Sequence, residues 1–171
     1  MSKFVGFAQL ETSFQVPILV RSGNTPVNAD ALPTYRVYGP LGIMNNGTGT
    51  VSFKDTAAVT GATNAAPIVI TAASHGLSTG ARVTITGVGG NTAANGTFVV
   101  TKIDTNTFSL QGSTGNGTYT SGGVWNVTGL YKATISVAAA DGYELGTTYL
   151  VLFATAVSST AYGDVSSFVV T

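Results

Sequence analysis

Cysteine is absent from this chain of 171 residues, and charged side chains make up only 8% of it. Without cysteine there is no disulfide framework and no thiolate for nucleophilic or redox chemistry. The seven basic and seven acidic residues balance, so no basic field is available to attract nucleic acid. Because freely soluble monomers usually carry a net charge, this composition is typical of a chain that holds much of its surface against partners.

Long apolar runs and helical periodicity are also missing. No run approaches the roughly 18 residues of a membrane-spanning helix, so we expect no membrane partner. No segment repeats its apolar residues with a helical period. The 22 glycines, together with many Thr, Val and Asn residues, favour short strands and tight turns. The composition therefore predicts an all-β chain.

Two Val-Thr-Gly triplets flank the middle of the chain, at 59–61 and 127–129. With the residues between them removed, the sequence still reads as strand, turn and strand. We interpret residues 62–125 as a small β domain inserted into a host that consists of 1–61 and 126–171. Short strands with turns roughly every 8–12 residues predict a small barrel or sandwich for the insert.

The host sequence predicts about seven strands of a sandwich. Residues 34–38 place Tyr35 and Val37 on one face, and residues 130–137 keep their apolar side chains in phase. Residues 147–156 form the most apolar strand, and we expect it to cross the host core. The predicted host core consists of Ile18, Val20, Val37, Phe53, Ile135, Leu150, Leu152, Phe153 and Phe168.

No set of residues predicts chemistry. His75 is the sole histidine and has no second ligand for zinc, so we interpret it as a turn residue with local hydrogen bonds. The glycine-rich stretches 87–90 and 112–117 lack the lysine of a phosphate-binding loop and open no helix. The acidic residues are scattered singly, which leaves only a weak calcium or carbohydrate contact as an alternative to solvated turns. We predict no catalytic, cofactor-binding or metal-binding residue, and hence no enzyme.

Interface candidates come from the N-terminal segment and from the loops of the insert. Phe4, Phe7 and Leu10 show no convincing period, which fits a first edge strand, a frayed terminus, or an arm that docks on a neighbouring subunit. The loops 87–95 and 112–121 are expected to project outward, with Asn91, Asn95 and Tyr119 free to contact neighbours. Four aromatic residues form either sheet core and interface or a platform for sugars: Tyr38, Tyr119, Trp125 and Tyr162.

The insert carries an ordered series of turn and strand residues. They include His75-Gly76-Leu77, Thr79-Gly80, Ile85-Thr86-Gly87, Asn95-Gly96, Thr107-Phe108 and Gly112-Ser113. This series resembles a module that recurs in structural proteins of tailed bacteriophages. It is also similar to the small β module beside the first catalytic cysteine half-domain of ubiquitin-activating enzymes. In that family the module is not the catalytic part, so the resemblance implies no activity.

The host segments PVNADALPTYRVYGP, GLYKATISV and ELGTTYLVLF resemble the immunoglobulin-like domains of phage virion proteins, without the cysteine pair of antibodies. The two resemblances imply a discontinuous immunoglobulin-like β-sandwich that carries an inserted small β domain. They imply a non-enzymatic component of a phage virion, acting through subunit interfaces. Its expected partners are capsid, portal, tail or fibre subunits and further copies of the chain. The alternative is a host-surface adhesin that binds glycans through the loops and aromatic residues of the insert.

Overall fold

A computed structural model describes residues 3–171 of the chain. Within these residues the protein is all-β, with two short 3-10 turns at Thr92–Ala94 and Ala139–Asp141 and no α-helix. No helix of the described part is long and apolar enough to cross a membrane. The chain folds into two compact units, the first formed by the residues up to 52 together with 131–171, the second by 53–130.

The described residues form seventeen strands, and most are short because glycine-containing turns interrupt the sequence. In chain order they are β1 (Lys3–Ala8), β2 (Thr12–Leu19), β3 (Arg21–Ser22), β4 (Thr25–Pro26), β5 (Thr34–Gly39), β6 (Gly42–Thr50), β7 (Ser52–Phe53), β8 (Thr56–Ala58), β9 (Gly61–Ala62), β10 (Val69–Thr71), β11 (Arg82–Thr86), β12 (Gly96–Lys102), β13 (Thr107–Leu110), β14 (Val124–Val127), β15 (Leu130–Val137), β16 (Thr148–Val157) and β17 (Thr160–Val170).

The first unit is built on a five-stranded sheet in the order β1-β17-β16-β5-β6. β1 runs parallel to β17, and the other three pairs are antiparallel. A second sheet contains β2 and β15, with β7 on the other side of β15. Tyr35 and Val37 are buried while Arg36 is exposed, as the alternation predicted. The hydroxyl of Tyr35 donates to the carbonyl oxygen of Thr134 on β15 over 3.1 Å and so ties the two sheets together.

Aromatic rings fill the core of the first unit. Phe168 is fully buried, with its ring 4.7 Å from that of Phe14 and 5.5 Å from that of Tyr149. Val37 and Val151 lie opposite each other on neighbouring strands, and both are fully buried. Since a buried aromatic side chain removes some 150–250 Å² from water, these rings supply a large part of the hydrophobic stabilisation of the unit.

Two predicted core residues, Leu150 and Leu152, are in fact exposed to solvent over 40% and 37% of their surface. β16 alternates, so that Tyr149, Val151 and Phe153 point inward and the two leucines point outward. An apolar run cannot by itself tell which of its two faces meets the second sheet. Phe53 was also predicted for the host core, but it is only half-buried and belongs to the second unit.

The second unit contains a seven-stranded sheet in the order β8-β14-β11-β12-β13-β10-β9. The sheet surrounds one apolar core, in which Trp125 meets Phe108 edge to face with ring centroids 6.1 Å apart. The other large side chains of this core are fully or almost fully buried: Ile68, Ile70, Leu77, Val83, Ile85, Val100 and Leu110.

The second unit extends beyond the predicted insert, because residues 53–61 and 126–130 belong to it. β8 pairs with β14. Val59 lies in the core of the second unit, and its N–H donates to the carbonyl oxygen of Gly123 over 2.9 Å. The chain enters and leaves this unit at neighbouring points, since the N–H of Lys54 donates to the carbonyl oxygen of Leu130 over 3.1 Å. A short turn can therefore replace everything between those two residues.

We predict that replacing residues 55–129 by Asn-Gly leaves a folded first unit. The loop that closes between Lys54 and Leu130 becomes shorter, and closing a short loop costs less entropy than closing a long one. Circular dichroism should show a β spectrum, and amide resonances should stay dispersed. As a matched control, removal of 62–129 leaves β8 and Val59 without their partners and should give a less stable protein. An unfolded 55–129 variant would contradict the prediction.

Candidate interaction surface

The outer face of the five-stranded sheet, which points away from the second sheet of the unit, carries large apolar side chains on four of its five strands. The register places Phe4 beside Ser167, Ser167 opposite Leu150, Leu150 opposite Tyr38, and Tyr38 opposite Ile43. These side chains form one row across all five strands. Phe4 is 53% exposed and Ile43 is 50% exposed, although both are large apolar residues.

Two further residues extend this row into a patch. Leu152 lies in the next row, between Val165 and Arg36. Phe7 is also exposed, and its ring packs edge to face against that of Phe4 with centroids 5.5 Å apart. We call this patch the apolar face and define it by Phe4, Phe7, Tyr38, Ile43, Leu150 and Leu152. Monomeric proteins rarely expose contiguous apolar patches larger than a few hundred Å², and such patches commonly mark interaction sites.

The apolar face exists because β16 has apolar residues both at the positions that point inward and at those that point outward. Strands that are buried on both sides read as near-continuous apolar runs, whereas a strand with one solvated face alternates with polar residues. The segment YLVLF, residues 149–153, has no such alternation. That run was the signal in the sequence for the exposed positions Leu150 and Leu152, which the sequence reading assigned to the core.

The predicted interface residues of the N-terminal segment lie at one edge of this surface. Phe4 and Phe7 belong to the apolar face, on β1. Leu10 follows β1 and is half-buried, and its N–H donates to the carbonyl oxygen of Thr171 over 3.1 Å. In this structure the segment is an edge strand of its own sheet.

The predicted interface residues of the loops make hydrogen bonds to backbone groups of the second unit. Asn91 is fully buried, donates through Nδ2 to the carbonyl oxygen of Thr63 (2.8 Å), and accepts from the N–H of Asn116 (3.1 Å). It thus joins three separate loops. Gly90 lies beside it at φ +77°, and a Cβ there would stand 1.9 Å from the carbonyl oxygen of Thr118, so this position requires glycine.

Asn95 and Tyr119 are held in a similar way. The side chain of Asn95 accepts from the N–H of Val88 and donates to its carbonyl oxygen, both over 2.9 Å. The hydroxyl of Tyr119 lies 3.1 Å from the carbonyl oxygen of Val59, to which it donates. With Asn91, these residues fix the conformation of the loops, whereas Phe4 and Phe7 present free apolar surface.

His75 is a structural turn residue, as predicted. Its Nδ1 accepts from the N–H of Leu77 over 3.0 Å, so the ring proton sits on Nε2, which donates to the carbonyl oxygen of Asp104 over 3.0 Å. The ring is buried and packs edge-on against Phe108. Both ring nitrogens are therefore engaged. Within residues 3–171, no three His, Asp or Glu side chains converge to hold a metal ion.

The carboxylate of Asp104 closes the turn that faces His75. Its Oδ1 accepts from the N–H groups of Asn106 and Thr107, each over 2.7 Å. The hydrogen bond from the Asn106 backbone, followed by those from Thr107, lowers the pKa of Asp104, because these donors favour the charged form. The exposed carboxylate thus stabilises the turn formed by residues 104–107.

We predict that Asn91→Ala destabilises the second unit by about 1–3 kcal/mol, because both loop contacts of the amide are lost. Trp125 is the one tryptophan of the chain and lies in the core of that unit, so its fluorescence during urea unfolding reports on the loss. Thr114→Ala, at an exposed position in the same loop region, should stay within about 0.5 kcal/mol of wild type. Equal stability of both variants would refute this role for Asn91.

The pKa shift of Asp104 predicts a dependence on pH. A lowered pKa in the folded state means that the carboxylate stabilises the fold above its ordinary pKa of about 3.9, and that this contribution disappears as pH falls through the lowered value. Asp104→Ala should therefore lower the midpoint of thermal unfolding at pH 7, and the difference from wild type should narrow towards pH 2. A difference that is independent of pH would contradict this prediction.

Comparison with known protein families finds a match within the second unit. Residues 65–128 match the ubiquitin-activating enzyme E1 FCCH domain. The matched stretch lies wholly within residues 53–130 and includes the turn of His75 and the core residues Phe108 and Trp125. No curated protein matches the chain. The second unit is thus similar to the small β module of ubiquitin-activating enzymes, which confirms the resemblance drawn from its turn residues.

Proposed function

We propose that this chain is a non-enzymatic structural component of a tailed-phage virion that acts through subunit interfaces. The most fitting roles are capsid decoration, a head fibre or another head–tail accessory protein. The observation that carries the proposal is the apolar face, whose residues lie on four of the five strands of one sheet. Such a surface gains free energy when a neighbouring subunit covers it, at roughly 25 cal/mol for each Å² removed from water.

The low charge of the chain supports the same role. Arg36 is the one charged residue in the two register rows through Leu150 and Leu152, so little desolvation of charge opposes burial of the apolar face. A standard interface covers about 800 Å² on each partner. Many weak contacts suffice in a particle, because repeated copies add avidity.

The two units have different roles in this proposal. The first unit, whose sequence resembles immunoglobulin-like virion domains, provides the assembly surface for capsid, portal, tail or fibre subunits and for further copies of the chain. The second unit is an accessory with its own core, and it carries no activity over from ubiquitin-activating enzymes. The proposed localisation is therefore the virion, without nucleic acid, membrane or cofactor as a partner.

A glycan-binding adhesin is the alternative, and the structure favours it less. Trp125 is almost fully buried in the module core, and the hydroxyl of Tyr119 donates to a backbone carbonyl. Of the four aromatic residues considered as a sugar platform, Tyr38 and Tyr162 remain, and both belong to the first unit. The insert thus loses the aromatic residues through which it would bind a glycan.

The proposal predicts that the purified chain rebinds to phage particles that lack it, and that Leu150→Lys weakens this binding about tenfold or more. A lysine in the middle of the apolar face must lose its hydration when a neighbour covers it. Sedimentation of the chain with particles, followed by particle reconstruction, measures the binding and locates the contact.

Leu41→Lys is the matched control, since Leu41 is fully exposed in the turn between β5 and β6 and lies outside the apolar face. It should bind like wild type. A chain that has no affinity for any particle protein would refute the proposed function. Specific, saturable binding to a glycan array would favour the adhesin instead.

A further inference from the structure

The edge of the five-stranded sheet is open along half of β17. β17 covers Thr160–Val170, but β1 pairs only with residues 166–170 of it. Residues 161–164 are exposed, and on that side no strand of the described chain pairs with them. A strand that lacks one neighbour presents a row of backbone donors and acceptors to which another strand can bind.

The odd-numbered residues of β17 direct their backbone groups towards this open edge. The N–H of Thr171 donates to the carbonyl oxygen of Ala8, towards β1, over 2.8 Å. The N–H of Val170 donates to the carbonyl oxygen of Thr147, towards β16, over 3.2 Å. By this alternation the backbone groups of Ala161, Gly163 and Val165 point away from β16. The N–H of Val165 is bound by the carboxylate of its own neighbour Asp164 over 2.9 Å.

Cavities lie on both sides of the open edge, and they share Phe153, Gly163 and Asp164 as lining residues. The first cavity, of about 370 Å³, is also lined by Arg36 and Leu152. The second, of about 210 Å³, is also lined by Ile18, Val20, Arg21 and Tyr162. An added strand sends successive side chains to opposite faces of a sheet, so a pair of cavities around one edge strand suits such a strand.

Gly163 lies in the middle of the open segment, and its own chain does not require glycine there. The nearest atom to a Cβ at this position would be the carbonyl oxygen of Phe153 at 3.4 Å, an ordinary contact, and the residue has no left-handed backbone conformation. Glycine inside a strand often marks a place where another backbone approaches closely.

We propose that a second copy of the chain pairs with this edge, antiparallel and about a two-fold axis at Gly163. The open segment 161–165 is bounded by the turn at Ser158 and Ser159 and by the start of β1 pairing at Ser166, and its centre is Gly163. Two such segments fit each other in one register, which an isologous contact requires. The inference rests on the proposed function, for which it supplies one subunit interface.

Side chains complement each other in this pairing. Tyr162 is 44% exposed and would lie opposite Asp164 of the second copy, at the mouth of the cavity lined by Ile18 and Val20. Arg21 lines the same cavity and meets the carboxylate of the incoming Asp164 with opposite charge. The N–H of Val165 exchanges its own neighbour's carboxylate for the carbonyl oxygen of Ala161 of the second copy.

Sedimentation of the full-length chain over a range of concentrations tests the inference. Wild type should form a dimer, and Gly163→Lys should stay a monomer at tenfold higher concentration, because two like charges would face each other across the axis. Thr48→Lys places the same charge on β6, the opposite edge of the sheet, and should dimerise like wild type.

A single cysteine provides a second, independent readout. Directly opposite residues of an antiparallel hydrogen-bonded pair have Cα atoms about 5.5 Å apart, within the range of a disulfide. Since the chain has no cysteine of its own, Gly163→Cys should give a covalent dimer under mild oxidation, and Thr48→Cys should give little.

A wild-type monomer at all concentrations would overturn the inference, as would a dimer that survives Gly163→Lys or dissociates with Thr48→Lys. Rebinding to particles is measured separately, so the two proposals fail separately. A monomer that binds particles would remove the edge pairing and leave the virion role in place. A dimer without affinity for particles would leave the edge pairing and remove the virion role.

Discussion

The double apolar character of β16 is the constraint on which the first unit depends. This strand pairs with β17 and β5 and therefore lies in the middle of the sheet. Its inward side chains, Tyr149, Val151 and Phe153, join the core, while Leu150 and Leu152 remain in solvent. The inward set holds the two sheets together, whereas the outward set leaves large apolar side chains partly in solvent. The proposed subunit partner would cover the outward set and so explain why both sides of β16 are apolar.

The second unit depends on a different constraint, the closeness of its two ends. Hydrogen bonds join Lys54 to Leu130 and Asp55 to Val127, so the two ends of the second unit lie next to each other. When the two ends of an inserted domain lie this close together, the insertion adds little to the entropic cost of closing the host loop. Its polar loop residues, Asn91 above all, are used to order its own loops. This is why the loops that sequence reasoning marked for contact serve the stability of the module.

The sequence predicted the buried face of those strands in which apolar and polar residues alternate. It assigned Tyr35 and Val37 to one face, and it put the apolar residues of 130–137 in phase. Tyr131, Ala133, Ile135 and Val137 are all buried on β15. It could not assign the face of β16, because both phases are apolar and only pairing with distant strands decides between them. The pairing of β8 with β14 likewise moves both Val-Thr-Gly triplets into the second unit, a contact between residues about 70 positions apart that no local pattern reveals.

The apolar face and the open edge of β17 strengthen each other if both proposals hold. Five strands at about 4.8 Å spacing give a face only some 24 Å wide, which is small for a stable contact. Edge pairing at Gly163 would join the five-stranded sheets of two copies into one continuous sheet. The apolar faces of the two copies would then form one surface twice as wide. The balanced net charge allows this approach, since copies without a net charge do not repel one another. Dimerisation through the edge would thus convert two marginal faces into one surface of the size that a stable interface needs.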